Sequence, residues 1–531
     1  MGRLFSWGRL EPIWQRAGVV VYPHQIQAAI RVVEEMGGRG ILADEVGLGK
    51  TVEAGLVAFE LLYRGLVRRI LVLCPAALVT QWQAEMAEKF DLSFVANPRG
   101  AAWLDAERIV ASIDFARRPE NARLLRLVRF DLLVVDEAHK LKNSRSQNHR
   151  LVQGLPHRYL LLLTATPVQN HLGELFSLVS LVNPALFGSL AEFRRRFLID
   201  RRTPRNPRDL RQALSQVMVR RRRPEVATCF PERRVSTLGL ELLPPERELY
   251  DLVTRLVRQE YRRRLQARST ILPLLTLQRE VCSSSFAVGR TLSRLGSERP
   301  DDRLRHLAGL AQSVSDNAKA RALEGLIPAL GEPAIVFTEF RATQAFLARR
   351  LRRLGLKVVC YHGALGPEER ARALEAFKSS PAAVLVSTEC GGQGMNLQFC
   401  RNVINYDLSW NPMRVEQRIG RVHRLGQLQD VNIFNLYARG TVEEHLLHLL
   451  YEKIDLFRQV VGDLDVILRR LDRAGAPERS RGIESRILEI CASGDDEEMR
   501  RGFERLGEEL LEAKRRVQSA ALEVAGQAST T

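Results

Sequence analysis

Ile41-Leu42-Ala43-Asp44-Glu45-Val46-Gly47-Leu48-Gly49-Lys50-Thr51 is the stretch on which the fold turns. An apolar run ends at Asp44, two glycines follow, and an amphipathic segment begins at Val52. Strand, glycine turn and helix in that order bring backbone amides and a helix N-terminus to one point, which suits a phosphate. Lys50 is placed to reach the β- and γ-phosphates of a nucleotide, and the Thr51 hydroxyl to hold Mg²⁺. The general phosphate-loop pattern has glycine six positions before the lysine, where this chain has Asp44. Taken alone, the stretch also fits a glycine-rich strand-to-helix connection with no ligand.

A second stretch completes the argument. Asp131-Leu-Leu-Val-Val135 leads into Asp136-Glu137-Ala138-His139. A carboxylate at a strand end suits Mg²⁺ bound to phosphates, so Asp136 is expected to hold the ion, partly through water. Glu137 is expected to orient and deprotonate the attacking water. An acidic loop after a buried strand is the other reading of this stretch. Downstream of the glycine turn it reads better as the second half of one nucleotide site.

Working outward, two regions show the rhythm of a parallel sheet: short apolar runs, a turn, then an amphipathic segment. The first, about 20–182, has runs at Ile70-Leu-Val-Leu-Cys74, Leu132-Leu-Val-Val135 and Tyr159-Leu-Leu-Leu-Leu163. The second, about 334–436, has runs at Ala334-Ile-Val-Phe337, Val358-Val-Cys-Tyr361, Val384-Leu-Val386 and Val403-Ile-Asn-Tyr406. Runs apolar on both faces suit strands covered by helices on each side. Between them, residues 190–310 are rich in Arg, Leu and Glu with dominant helical spacing, and 441–531 are again helical. The expected class is α/β, with two parallel-sheet lobes, inserted helices and a helical C-terminal extension. The expected domains are 1–190, 191–310, 311–445 and 446–531.

Arg418, Arg421 and Arg424 recur at three-residue intervals, which on a helix share a face. Arg421 and Arg424 are therefore expected to project together and stabilise charge developing on a γ-phosphate. A solvated basic face is the alternative in a chain this rich in arginine. Lys and Arg number 80 against 62 Asp and Glu, a net charge of +18. Only nine of the 80 are lysine. Such an excess of base fits a polyanionic partner. The seven cysteines include no C-x-x-C pair, so a zinc ribbon is not expected, and their scatter suggests a reducing compartment. No apolar run reaches the ~18 residues of a membrane span. No secretory leader is expected either, and the reading is cytoplasmic.

Together these stretches resemble the SNF2 (Swi2/Snf2) family of superfamily 2 helicase-like ATPases, over about residues 20–445. Asp44 to Thr51 resembles the SNF2 form of motif I, in which an aspartate opens the loop. Tyr22-Pro-His-Gln25 is similar to the adenine-reading segment, Cys74-Pro75 to Trp82 to motif Ia, and Asp136-Glu-Ala-His139 to motif II. Leu163-Thr-Ala-Thr-Pro-Val-Gln-Asn170 resembles motif III and Val336-Phe-Thr-Glu-Phe340 motif IV. Ser387 to Leu397 resembles motif V, and Tyr406-Asp-Leu-Ser-Trp-Asn-Pro412 with Gln417 to Gln427 the SNF2 form of motif VI. The tail at 451–465 is similar to that of short bacterial members, which in turn resemble the RNA polymerase-associated recycling ATPases.

The resemblance implies two RecA-like lobes that bind ATP in the cleft between them. Gln25, Asp44, Glu45, Gly47, Leu48, Gly49, Lys50 and Thr51 would contact ATP, and Thr51 and Asp136 the Mg²⁺. Lys50, Glu137, Arg421 and Arg424 would serve catalysis, while Thr164, Thr166 and Gln417 would couple it to movement. Ser112, Thr388, Asn396 and Trp410 are the implied nucleic-acid contacts. The function implied is DNA-stimulated ATP hydrolysis that drives translocation on double-stranded DNA and displaces or remodels bound proteins. RNA polymerase or another DNA-bound complex is the implied protein partner, in a bacterial, DNA-associated setting. A strand-separating DNA or RNA helicase, an RNA polymerase recycling factor and a nucleic-acid scaffold with a silent ATP site remain as alternatives.

Overall fold

The computed structural model describes residues 6–17, 19–45, 47–165, 167, 172–199, 205–221, 225–226, 231–266, 272–298, 301–380, 382–388, 397–427, 429–449, 483–493 and 496–525. They form two compact units, one of residues 1–229 with 424–426, the other of 230–423 with 427–531.

The first unit is built on β1 (Arg39–Leu42), β2 (Ile70–Cys74), β3 (Val95–Ala96), β4 (Arg108–Ser112), β5 (Phe130–Val135), β6 (His157–Leu163) and β7 (Met218–Val219). Their order across the sheet is β3-β4-β2-β5-β6-β1-β7, and every pairing is parallel. Parallel neighbours need crossover segments, and helices supply them. Side chains alternate across a strand, so each continuous apolar run feeds two cores. Ile41, Leu71, Leu73, Leu133, Val135, Leu160 and Leu162 pack on one face. Leu42, Ile70, Val72, Leu132, Val134, Leu161 and Leu163 pack on the other. Each such side chain, removed from water, stabilises the fold by roughly 1.5–3 kcal/mol before entropy is counted.

The second unit repeats the plan with β8 (Arg233–Leu240), β9 (Ala334–Thr338), β10 (Val358–Tyr361), β11 (Val384–Thr388), β12 (Asn402–Asn405) and β13 (Val431–Ala438). Its order is β10-β11-β9-β12-β13-β8, again parallel throughout. The apolar runs read from the sequence at 70–74, 132–135, 159–163, 334–337, 358–361 and 384–386 all lie on strands. The run at 403–406 matches β12 except for its last residue, which lies one position beyond the strand.

Residues 190–310, read as helical, do hold the helices Leu190–Phe197, Pro207–Ser215, Pro244–Gln266, Leu272–Ser283 and Ser285–Glu298. They also hold β7 and β8, which that reading missed. Both are edge strands, one on each sheet. Much of β8 is exposed, so it lacks the apolar run that marks a buried strand. In the C-terminal extension, Ile487, Leu488, Cys491, Met499, Phe503 and Leu506 join the core of the second unit with Val253, Leu256 and Val257. Residues 451–465 lie outside the described residues. No described helix is long and apolar enough to cross a membrane.

Candidate nucleotide site

After β1 the chain turns through two glycines at φ 90°, Gly47 and Gly49. Only glycine adopts that conformation cheaply. A Cβ on Gly49 would also stand 2.2 Å from Gln25 Nε2. Gly49 caps the helix Lys50–Tyr63, whose open N–H groups face the turn. Lys50 Nζ donates to the carbonyls of Asp44 (2.7 Å) and Glu45 (3.4 Å). Thr51 is the second residue of the helix and is half-buried. Val46 lies outside the described residues.

Gln25 sits in the first turn of the helix Pro23–Ile30 and is buried. Its Oε1 accepts from the Tyr22 N–H (3.0 Å), and its Nε2 donates to the Leu48 carbonyl (2.9 Å). His24 Nε2 lies 3.0 Å from the same carbonyl. Gln25 and His24 together therefore clasp the turn. Burial lowers the pKa of His24. Sequence reading had singled out Gln25 alone of the two.

Asp44 and Glu53 are both fully buried beside this turn. Arg221, two residues past β7, meets them. Its backbone N–H donates to Asp44 Oδ1 (2.9 Å) and its Nε lies 3.1 Å from Asp44 Oδ2. The Arg221 carbonyl accepts from the Glu45 N–H at 3.1 Å. Sequence reading saw 220–223 only as a basic cluster and missed this role. Residues 222 and 223 lie outside the described residues.

At the end of β5, Asp136 accepts from the indole Nε1 of Trp82 at Oδ2 (2.9 Å) and from the Glu137 N–H at Oδ1 (2.7 Å). Burial first, and then the charge of Glu137, push its pKa up to about 6. Lys50 is among the charges that pull it back, so the two strand ends act on one another. Glu137 adopts a left-handed conformation, φ 50° and ψ 47°. Non-glycine residues rarely do so, and such strain clusters at functional sites. Glu137 Oε2 lies 2.9 Å from His139 Nδ1.

Strand order explains the meeting. β1 neighbours β6, and β6 neighbours β5. The glycine turn, Thr164 and Asp136 therefore leave three adjacent strands at the same carboxyl edge, where ligands bind in open α/β sheets. Thr164 is buried, with its N–H on the Leu42 carbonyl at 3.0 Å. Thr166 lies outside the described residues.

The nucleic-acid candidates are placed differently from one another. Ser112 is buried at the end of β4, and its hydroxyl accepts from the Phe115 N–H at 3.0 Å, capping a short helix. Thr388 closes β11 and is buried. Trp410, expected as a contact, is 1% exposed in the core of the second unit. In this structure its indole packs and does not present a surface. Asn396 lies outside the described residues.

The arginine expectation needs a correction. The helix Pro412–Ile419 ends before Arg421, and 421–424 form turns and bends. No helical face presents Arg421 with Arg424. Arg421 groups with the second unit and Arg424 with the first. Gln417 is exposed on that helix, whereas Arg418 is buried. Arg418 donates to the Asp407 carbonyl (2.8 Å) and to Asn405 Oδ1 (3.3 Å). Asp407 Oδ2 accepts from Ser283 (3.0 Å), Thr338 (2.6 Å) and the Glu339 N–H (2.8 Å). Glu339 in turn pairs with Arg279. The inserted helix Leu272–Ser283 is thereby tied to the arginine-bearing helix. No spacing in the sequence signalled that network.

Comparison with known proteins agrees with this architecture. The SNF2-related domain matches residues 24–287, and the helicase conserved C-terminal domain matches 318–426. The uncharacterized ATP-dependent helicase YqhH of Bacillus subtilis (strain 168) is 42% identical over 456 residues, 85% of this chain and 81% of its own length. The RNA polymerase-associated protein RapA of Sodalis glossinidius (strain morsitans) is 28% identical over 501 residues, 85% of this chain. The chain spans 50% of that protein's length. The helicase domain of Pyrococcus furiosus Hef superposes with a TM-score of 0.51 at 17% identity, over 83% of this chain and 98% of that one, a likeness of fold. With two RecA-like parallel sheets, a glycine turn and an acidic strand end at one edge, and the 42% identity to YqhH over 81% of that protein's length, the chain belongs to the SNF2 family of helicase-like ATPases and is an ATP hydrolase.

Proposed function

We propose that the protein hydrolyses ATP in response to duplex DNA, moves along the duplex, and displaces or remodels proteins bound there. The observation that carries the ATP half is the placing of Lys50 and of Asp136 with Glu137 at one edge of the sheet. The DNA half is supported by family membership and by the net charge of +18. A motor that tracks phosphates needs many cations and little base readout. Because the RapA relative is an RNA polymerase-associated protein, RNA polymerase is the first candidate for a displaced or engaged protein.

The residue roles follow from chemistry. Gly47, Gly49 and the helix start offer amides to phosphate, and Lys50 exchanges its carbonyl partners for phosphate oxygens. Gln25, with Asp44, Glu45 and Leu48, shapes the turn beside the base. Glu137 orients and deprotonates the attacking water. Arg421 and Arg424 are the candidates for stabilising charge on the γ-phosphate. Thr164, Thr166 and Gln417 are the candidates for coupling, and Thr388 and Asn396 for phosphate contacts on DNA.

Asp136 and the Thr51 hydroxyl fit Mg²⁺. That ion takes one or two carboxylates with phosphate and water rather than an all-protein cage. The Asp136 carboxylate is held by the Trp82 indole N–H and the Glu137 N–H, as a carboxylate oriented for a cation is. Mg²⁺, when bound, supplies charge neutralisation at the phosphates.

The test is the steady-state ATPase rate with no nucleic acid, duplex DNA, single-stranded DNA and RNA, beside Lys50→Ala. Stimulation by duplex DNA, lost in the variant, is expected. Preference for single strands or RNA would favour strand separation instead. Absence of turnover under every condition would overturn the motor reading.

A further inference from the structure

We propose that Arg221 is a positioning residue of the phosphate turn, holding Asp44 so that Lys50 is left to the nucleotide. This rests on the reading of Lys50 as the phosphate-binding cation.

The argument is one of charge division. Two carboxylates, Asp44 and Glu53, are fully buried beside the turn. Arg221 engages Asp44 through both its backbone N–H and its guanidinium, at 2.9 and 3.1 Å. Its Nη2 lies 3.9 Å from Glu53 Oε1, and its Nη1 donates to the His24 carbonyl. One guanidinium thus touches the turn, the helix that follows it and the segment that carries Gln25. A planar fork can do this where a lysine ammonium would not.

Lys50, by contrast, spends its ammonium on two neutral carbonyls, those of Asp44 and Glu45. Phosphate oxygens displace such partners readily, because a charged acceptor is the stronger one. A buried carboxylate would not yield so easily. Without Arg221, Asp44 would be a buried carboxylate lacking its guanidinium, and Lys50, whose ammonium already sits on the Asp44 carbonyl at 2.7 Å, is a cation that it would draw in. Nucleotide binding would then have to break an ion pair that the native turn never makes.

The experiment compares Arg221→Gln, Arg221→Lys and the double variant Asp44→Asn/Arg221→Gln in the full chain. Steady-state ATPase gives KM and kcat, and titration with ADP gives equilibrium affinity. Arg221→Gln is expected to raise the ATP KM about tenfold, with kcat at saturating ATP changed by less than about threefold, the split of a lost binding contribution. Arg221→Lys should fall between this variant and the wild type. The double variant should recover most of the affinity, since no buried charge remains to capture Lys50.

An unchanged KM in both single variants would overturn the inference, as would a double variant no better than Arg221→Gln. Should Arg221→Gln fail to fold, Arg221→Lys and the double variant decide the question by the same KM values. Lys50→Ala separates the two levels of the argument. Undiminished ADP affinity in Lys50→Ala would remove the phosphate-site reading and this inference with it. A Lys50-dependent enzyme with indifferent Arg221 variants would remove the inference alone.

Discussion

Trp82 and Asp136, 54 positions apart, are joined by a hydrogen bond of 2.9 Å from indole Nε1 to carboxylate Oδ2. Trp82 is on the helix Val79–Phe90, which follows β2, and is buried against the same core as β2 and β5. An orienting donor of this kind would fix Asp136 for the proposed Mg²⁺. Trp82→Phe keeps the ring and removes the N–H. The Mg²⁺ concentration for half-maximal ATPase should rise about tenfold, as for other outer partners of metal ligands. A Mg²⁺ titration reads it, and an unmoved midpoint would refute the orienting role.

Glu137 sits in its left-handed turn with His139 close by. Glu137→Gln keeps shape and removes the proposed base, so kcat should fall by about 10²–10⁴ while ADP still binds. Near-normal turnover in that variant would mean that another group takes the proton.

Glu280, on the inserted helix Leu272–Ser283, is 7% exposed. Burial raises its pKa to about 7, opposed by the Thr291 hydroxyl, Arg294 and Arg279. A carboxyl raised in the folded state supports stability fully below its unfolded value, and that support is lost as pH rises through the folded value. Glu280→Gln should therefore gain on the wild type as pH rises, reaching about 1–3 kcal/mol at pH 8. The Thr291 hydroxyl, 2.8 Å from Oε1, still finds an acceptor in the amide. Urea midpoints at pH 5 and pH 8 measure this, and a gap that does not widen with pH would contradict it.

Lys319 is buried with Glu443, at 2.6 Å, and Asp407, at 4.0 Å. It also donates to the Tyr406 carbonyl at 3.1 Å. Removing one member of a buried set leaves uncompensated charge and costs about 3–5 kcal/mol. Lys319→Met should lose that much in chemical denaturation. Lys319→Met with Glu443→Gln should regain part of it.

The strands with continuous apolar runs were legible because those runs carry their own signal. Ile70 to Cys74 and Val358 to Tyr361 match β2 and β10 end to end. The edge strand β8 was not legible, since Arg233-Arg234 and an exposed middle imitate the helical insert around it. The glycine turn and the acidic strand end were legible as adjacent residues with one chemistry. The misplaced helical face of Arg421 and Arg424 came from extending a three-residue spacing past Gly420. Glycine after a helix is itself a stop signal, so the sequence held the correction. Trp82 on Asp136 and Arg221 on Asp44 had no local signal. They exist only once distant strands are laid side by side.

That distance has a consequence in time. Arg221 meets Asp44 across 177 positions, and β7, just before it, closes the sheet beside β1. A ribosome adding roughly 5–20 residues per second needs about 9–35 seconds to cover that span. Throughout that interval the emerging chain carries its glycine turn and Lys50 without the Arg221 contacts to Asp44. The contact between Arg221 and Asp44 thus arrives only when residues 1–229 of the first unit are almost fully made.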